Sequence, residues 1–148
     1  MKISKTLIFI TTSLSLIGCA ETTEEYHYQS GVDVPVEHDY AEVSDYQLLW
    51  ESIFDVNKEQ YYVYIYSTSC SHCSELKNYV IENAIKNKNV YFVKGTGTDQ
   101  IGKDPKSTKY PENPGDIWIL GYPSLLQISN KKCVKNLAGI NQIKGELK

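Results

Sequence analysis

Arginine is missing from this 148-residue chain; all fifteen basic side chains are lysine. The planar fork best suited to bidentate phosphate or carboxylate recognition is therefore absent. An excess of positive charge is missing too. Eighteen acidic residues against fifteen basic ones give a formal charge of −3, which argues against a nucleic-acid partner. No internal repeat is visible, and no apolar run reaches the roughly 20 residues that a spanning helix needs. Haem attachment through Cys-x-x-Cys-His is excluded, because Ser74 follows Cys73. The length allows one domain and little more.

What is present begins with an address. Lys2 and Lys5 precede an apolar stretch from Leu7 to Ile17, softened by Thr and Ser. A charged start, a short apolar core and a small residue at the exit make a signal-peptide layout. Leu16-Ile17-Gly18-Cys19 resembles the lipobox of bacterial lipoproteins. That resemblance implies cleavage before Cys19 and a lipid on its sulfur, with an ordinary secretory leader as the alternative. A lipidated chain would be tethered to a membrane rather than span it. The expected location is extracytoplasmic. The Lys-, Asn- and Ile-rich composition without Arg hints at an AT-rich organism, so the expectation is the outer face of the cytoplasmic membrane of a Gram-positive bacterium.

Ala20 to Val43 has no Lys, seven acidic residues and no sustained apolar period. It reads as an acidic spacer, although a strand near Val32 to Val36 is also open. The expected organisation is leader 1–18, lipidated Cys19 with tether 19–43, and domain 44–148.

Within the domain, Ser44-x-x-Gln47 has capping-box spacing and predicts a first helix over about 45–54. Tyr61 to Tyr66 is a β-branched and aromatic run, hence a buried strand. From Cys70, positions Cys73, Leu76, Val80 and Ala84 fit a helical face that ends near Asn87 to Asn89. Val90 to Val93 predicts a strand. Leu125 to Ser129 and Cys133 to Leu137 read as a hairpin around Asn130-Lys131-Lys132. A short helix over about 141–147 follows Gly139. Two strands joined by a crossover helix should be parallel, and the hairpin antiparallel. The expected class is α/β, a sandwich around a central mixed sheet flanked by helices.

The chemistry lies in Cys70-Ser71-His72-Cys73 at the strand-to-helix junction. A sulfur at a helix N-terminus meets unpaired N–H groups and the positive end of the dipole, so thiolate is favoured. Cys70 should attack and Cys73, one turn further in, should resolve. His72, as cation or donor, would further stabilise the Cys70 thiolate and make the disulfide more oxidising; the plainer reading is a solvated surface His. A structural zinc site would need Cys133 and a His to complete four ligands. Cys133 itself reads as a small core residue.

These features together resemble the thioredoxin superfamily over roughly Ser44 to Lys148. The resemblance rests on the strand followed by a CxxC helix, on Gly121-Tyr122-Pro123-Ser124 before a later strand, and on Gly139 after the last strand. It implies a thioredoxin-like sandwich and a redox-active Cys70–Cys73 disulfide, with no other cofactor and no metal. It implies a cis Pro123 packed against the CxxC, and Tyr122 and Pro123 contacting substrate through the main chain. His before the second Cys is similar to disulfide isomerases and DsbA-like oxidases. The implied activity is thiol–disulfide exchange, with exported proteins as substrates and a membrane redox partner. The other readings are a non-catalytic, chaperone-like accessory of an export system, and a CxxC metal-binding protein. Two departures stand out. Tyr64 occupies the position of the family's buried acid, leaving Glu75 or water for its role. Gly95 to Asp116 is longer than the usual connection and is expected to border the CxxC.

Overall fold

The computed structural model describes residues 36–87, 89–96, 101–102 and 110–148. The leader, Cys19 and most of the tether lie outside the described residues, as does much of the 95–116 connection. Among the described residues, no helix is long and apolar enough to cross a membrane.

Six elements carry the fold: β1 (Gln60–Tyr66), α1 (Ser71–Asn87), β2 (Val90–Lys94), β3 (Ser124–Ser129), β4 (Lys132–Ala138) and α2 (Ile140–Glu146). The sheet order is β2-β1-β3-β4. β1 and β2 are parallel, while β1–β3 and β3–β4 are antiparallel. This is the thioredoxin-like α/β arrangement that the resemblance implies.

β1 lies inside the sheet, and its alternation feeds two cores. Tyr64 and Tyr66 join Phe92, Leu125, Leu76, Val80, Ile143 and Leu147 on the face that α1 and α2 cover. Tyr61, Val63 and Ile65 join Val93, Leu126 and Ile128 on the other face. A strand buried on both faces reads as a continuous apolar run, which is why Tyr61 to Tyr66 was recognisable. Among the described residues, no α-helix covers the second face. Ile53, Phe54, Ile117 and Ile119, from irregular segments, close it.

Two expectations need correction. The first is the helix over about 45–54. The chain instead forms a 3-10 segment at Tyr40–Tyr46 and a short one at Trp50–Ser52. Between them Gln47 is extended and bridges to Phe92, and the Leu48 N–H donates to the Phe92 carbonyl at 2.8 Å. The open edge of β2 offers polar backbone that must be paired, and residues 47–48 satisfy part of it as strand rather than helix. The cap is Asp39, not Ser44. The Asp39 carboxylate accepts from the Ala41 N–H at 2.9 Å, and the Glu42 carboxylate accepts from the Asp39 N–H at 2.7 Å.

The second is the domain boundary at Ser44. The folded unit runs from Pro35 to Lys148. Val43 is fully buried in the α1 face, and Tyr40 stacks on Tyr66 with ring centroids 3.8 Å apart. The His38 N–H donates to Asn78 Oδ1 on α1 at 3.0 Å. One buried valine and one stacked tyrosine suffice to dock the end of an otherwise polar stretch.

The hairpin turn is tighter than expected. Asn130 and Lys131 both have positive φ, 48° and 60°. Such two-residue turns match the right-handed twist of paired strands.

Candidate active site

Cys70 sits where β1 has ended and α1 begins. Its N–H donates to the Ser67 carbonyl at 3.3 Å, and its carbonyl accepts the first helical bond from the Ser74 N–H at 3.2 Å. Cys70 thus occupies the N-cap position. At a helix N-cap a side-chain oxygen usually accepts an orphan N–H of the first turn. Here Cys70 Sγ does so, accepting from the Cys73 N–H at 3.1 Å. That donor is fixed by the helix, so it is already oriented toward negative charge on Sγ.

Cys70 and Cys73 form a disulfide, with Cα atoms 5.2 Å apart. The two sulfurs differ in access. Cys70 is partly exposed, whereas Cys73 is 1% exposed and belongs to the α1-face core. Cys70 is thus the more accessible of the two sulfurs. His72 and Ser71 are exposed on the first turn. Among the described residues, His72 makes no hydrogen bond or ion pair.

The Gly121–Pro123 loop lies beside this junction. Ser124 pairs with Ile65 in the antiparallel register, which brings Pro123 alongside the end of β1. The Tyr122–Pro123 peptide bond is cis. The buried Ser124 hydroxyl donates to the Gly121 carbonyl at 2.6 Å, and the Gly139 N–H donates to the Pro123 carbonyl at 3.3 Å. Gly139 has φ of 85°, a conformation that favours glycine. Tyr122 and Cys70 both pack against the α1-face core.

Tyr64, at the expected acid position, is fully buried, and its hydroxyl lies near that of Tyr40 with no hydrogen bond of ordinary geometry. Burial pushes the Tyr64 phenol far above its ordinary range, and the neighbouring Tyr40 and Tyr66 add to this. Among the described residues, the buried polar side chains are Ser124 and Gln127, so no carboxylate lies in the core. Glu75 is exposed on α1.

Cys133 belongs to the opposite core from Cys73. The sheet therefore separates them, and Cys133 can complete neither a disulfide nor a four-ligand metal site with the CxxC. It is 5% exposed, its Sγ donates to the Lys135 carbonyl at 3.3 Å, and burial pushes its thiol up to about 12. A cleft of about 220 Å³ beside it, lined by Trp118 and Asn136 among others, includes none of the site residues.

Sequence reading missed two parts of the site. One is the Cys73 N–H to Cys70 Sγ bond, which only the N-cap geometry reveals. The other is Gly95, just after β2: an added Cβ there would collide with the Tyr122 ring. A glycine closing a strand is the single available signal.

No protein-family model matches the chain, and no curated protein sequence matches it. Among solved structures, 29 chains match. One is Chlamydomonas reinhardtii thioredoxin f2, at 16% identity and a TM-score of 0.42, covering 68% of this chain and 91% of that chain. The class rests on the topology and junction described above: a thioredoxin-like α/β protein with a CxxC disulfide. That combination supports thiol–disulfide redox activity.

Proposed function

We propose that the protein is an extracytoplasmic thiol–disulfide oxidoreductase, anchored to a membrane through lipidated Cys19, that acts on exported proteins and favours oxidation or isomerisation. The observation that carries the activity is Cys70 Sγ at the helix N-cap, accepting the Cys73 N–H at 3.1 Å while Cys73 is buried behind it. The membrane anchor is supported by Leu16 to Cys19 in the sequence.

In the oxidising direction, a substrate thiolate attacks Cys70 Sγ and the Cys70–Cys73 bond breaks. Its electron pair goes to Cys73, which takes up a proton. The second substrate thiolate then attacks the substrate sulfur of the mixed disulfide. Cys70 leaves as a thiolate held by the Cys73 N–H. The substrate loses two electrons and the protein gains them. A membrane redox partner must remove them before the next cycle. The reverse sequence starts with Cys70 attacking a substrate disulfide and ends with Cys73 resolving it. The Cys70–Cys73 disulfide is the only redox group this scheme needs. Oxidation is favoured because His72, beside the thiolate on the first turn, adds stabilisation to the reduced form when it is charged.

The test is trapping. Cys73→Ser should accumulate mixed disulfides through Cys70, and Cys70→Ser should accumulate none. Failure of both variants to trap a substrate, with no measurable potential for the pair, would remove the proposal. Titration against glutathione reads direction, since potentials near about −120 mV mark strong oxidants and about −270 mV reductants. Loss of lipid labelling in Cys19→Ser checks the anchor.

A further inference from the structure

We infer that Gly95 is a positioning residue for peptide substrates: it is the seat of the Tyr122 ring, and it thereby sets the substrate face opposite Cys70. This rests on the reading of the site as a thiol–disulfide exchange centre.

The seat is a close approach. A Cβ built at Gly95 would run into the hydroxyl end of the Tyr122 ring. Both partners are held independently of that contact. The Gly95 N–H donates to the Tyr66 carbonyl at 2.7 Å, extending the β1–β2 ladder by one residue. The Tyr122 main chain sits in the Gly121–Pro123 loop, which the Ser124 hydroxyl and the Gly139 N–H fix from the other side. Neither backbone can yield cheaply, so the ring is the part that must move. Tyr122 touches both core clusters, so its ring spans the end of the sheet where the two faces meet. Beneath it lies the carboxyl end of β1, from which Cys70 is carried.

A methyl group at residue 95 would therefore swing the Tyr122 ring off the sheet end, leaving Cys70, Cys73 and their helix untouched. Small shifts of a positioning group act on the orientation of a bound substrate more than on the reacting pair. Farther along the chain, the Gly102 N–H donates to the Ile119 carbonyl at 2.9 Å, three residues before Tyr122.

The experiment is a double-mutant cycle on the full-length protein, using Gly95→Ala, Tyr122→Ala and the double variant. Oxidation of a dithiol peptide gives KM and kcat, glutathione titration gives the Cys70–Cys73 equilibrium, and thermal melting checks folding. Gly95→Ala should raise KM for the peptide about tenfold, and should shift the glutathione equilibrium by less than about twofold, because the helix and both sulfurs stay in place. In the Tyr122→Ala background the ring is gone, so the added methyl should change KM no further. An unchanged KM in Gly95→Ala, or a full Gly95→Ala effect without the Tyr122 ring, would overturn the inference and leave the proposed activity standing. No exchange by the wild-type protein would overturn both.

Discussion

The site makes a sharp statement about which thiol reacts. Consider the fully reduced protein given a brief pulse of iodoacetamide at pH 8. Alkylation consumes thiolate, so rate follows the ionised fraction and access. Burial raises the Cys133 thiol from 9.0 to about 12. Three pH units correspond to about a thousandfold less thiolate at pH 8 than an ordinary cysteine holds. Its 5% exposure slows it further. Cys73, 1% exposed, is shielded by access. Cys70 is partly exposed, and the fixed Cys73 N–H favours its thiolate. Peptide mass spectrometry of the quenched protein should find label on Cys70, with Cys73 and Cys133 together holding under about a hundredth of it. In denaturant all three should label alike. Native-state labelling of Cys133 within tenfold of Cys70, or of Cys73 ahead of Cys70, would refute the argued asymmetry.

Stability should fall steeply in alkali. Cys133 and Tyr61 are raised by burial to about 12, from 9.0 and 10.0. The native state thus keeps protons that the unfolded chain releases. Their contribution is intact below about pH 9 and is lost as pH rises toward 12, at about 1.4 kcal/mol per pH unit for each group. Tyr40 and Tyr64 act in the same direction. The last part of the tyrosinate absorbance, from the buried phenols, should appear together with loss of circular dichroism in one cooperative step; complete tyrosine titration with unchanged dichroism would contradict the buried phenols. Asp39→Ala removes the cap of the first 3-10 segment and should cost about 1 kcal/mol in urea unfolding, whereas Ser44→Ala, outside that cap, should cost less than about half as much.

Why some elements were legible and others were not follows from their physics. β1, α1, the hairpin and α2 each show a period or a turn signal strong enough to fix type and place. The CxxC junction was legible because a strand run stops four residues before Cys70. Residues 40–56 were not, because two cap-like patterns compete there. Ser44-x-x-Gln47 has the better-looking apolar sequel, but Asp39-x-x-Glu42 is the one used. The choice is made by tertiary contacts that no local pattern encodes: Val43 entering the core and residues 47–48 pairing with β2. The closure of the second face by Ile117 and Ile119 was hidden for the same reason, since two isoleucines in a long connection carry no period. In the site, spacing and junction position already ranked Cys70 as attacker and Cys73 as resolver, but did not reveal the contacts that make the two sulfurs unequal. That inequality comes from the N-cap position of Cys70 and the burial of Cys73, which are properties of the packed helix.

Tyr64 completes that inequality. A carboxylate at its position would give Cys73 a nearby base. A buried phenol cannot serve, because burial keeps it protonated well beyond the pH range in which Cys133 and Tyr61 already destabilise the fold. Glu75 points to solvent, and no other carboxylate lies in the described core. Cys70 therefore has a built-in donor for its charge, whereas among the described residues Cys73 has no buried carboxylate to accept its proton. In the reduced pair this geometry favours charge on Cys70 over charge on the buried Cys73. Under the proposed function, the Cys73 proton would be exchanged with solvent or substrate by way of the partly exposed Cys70 side. On that reading, the opening that admits the attacking sulfur would also set how fast Cys73 resolves a mixed disulfide.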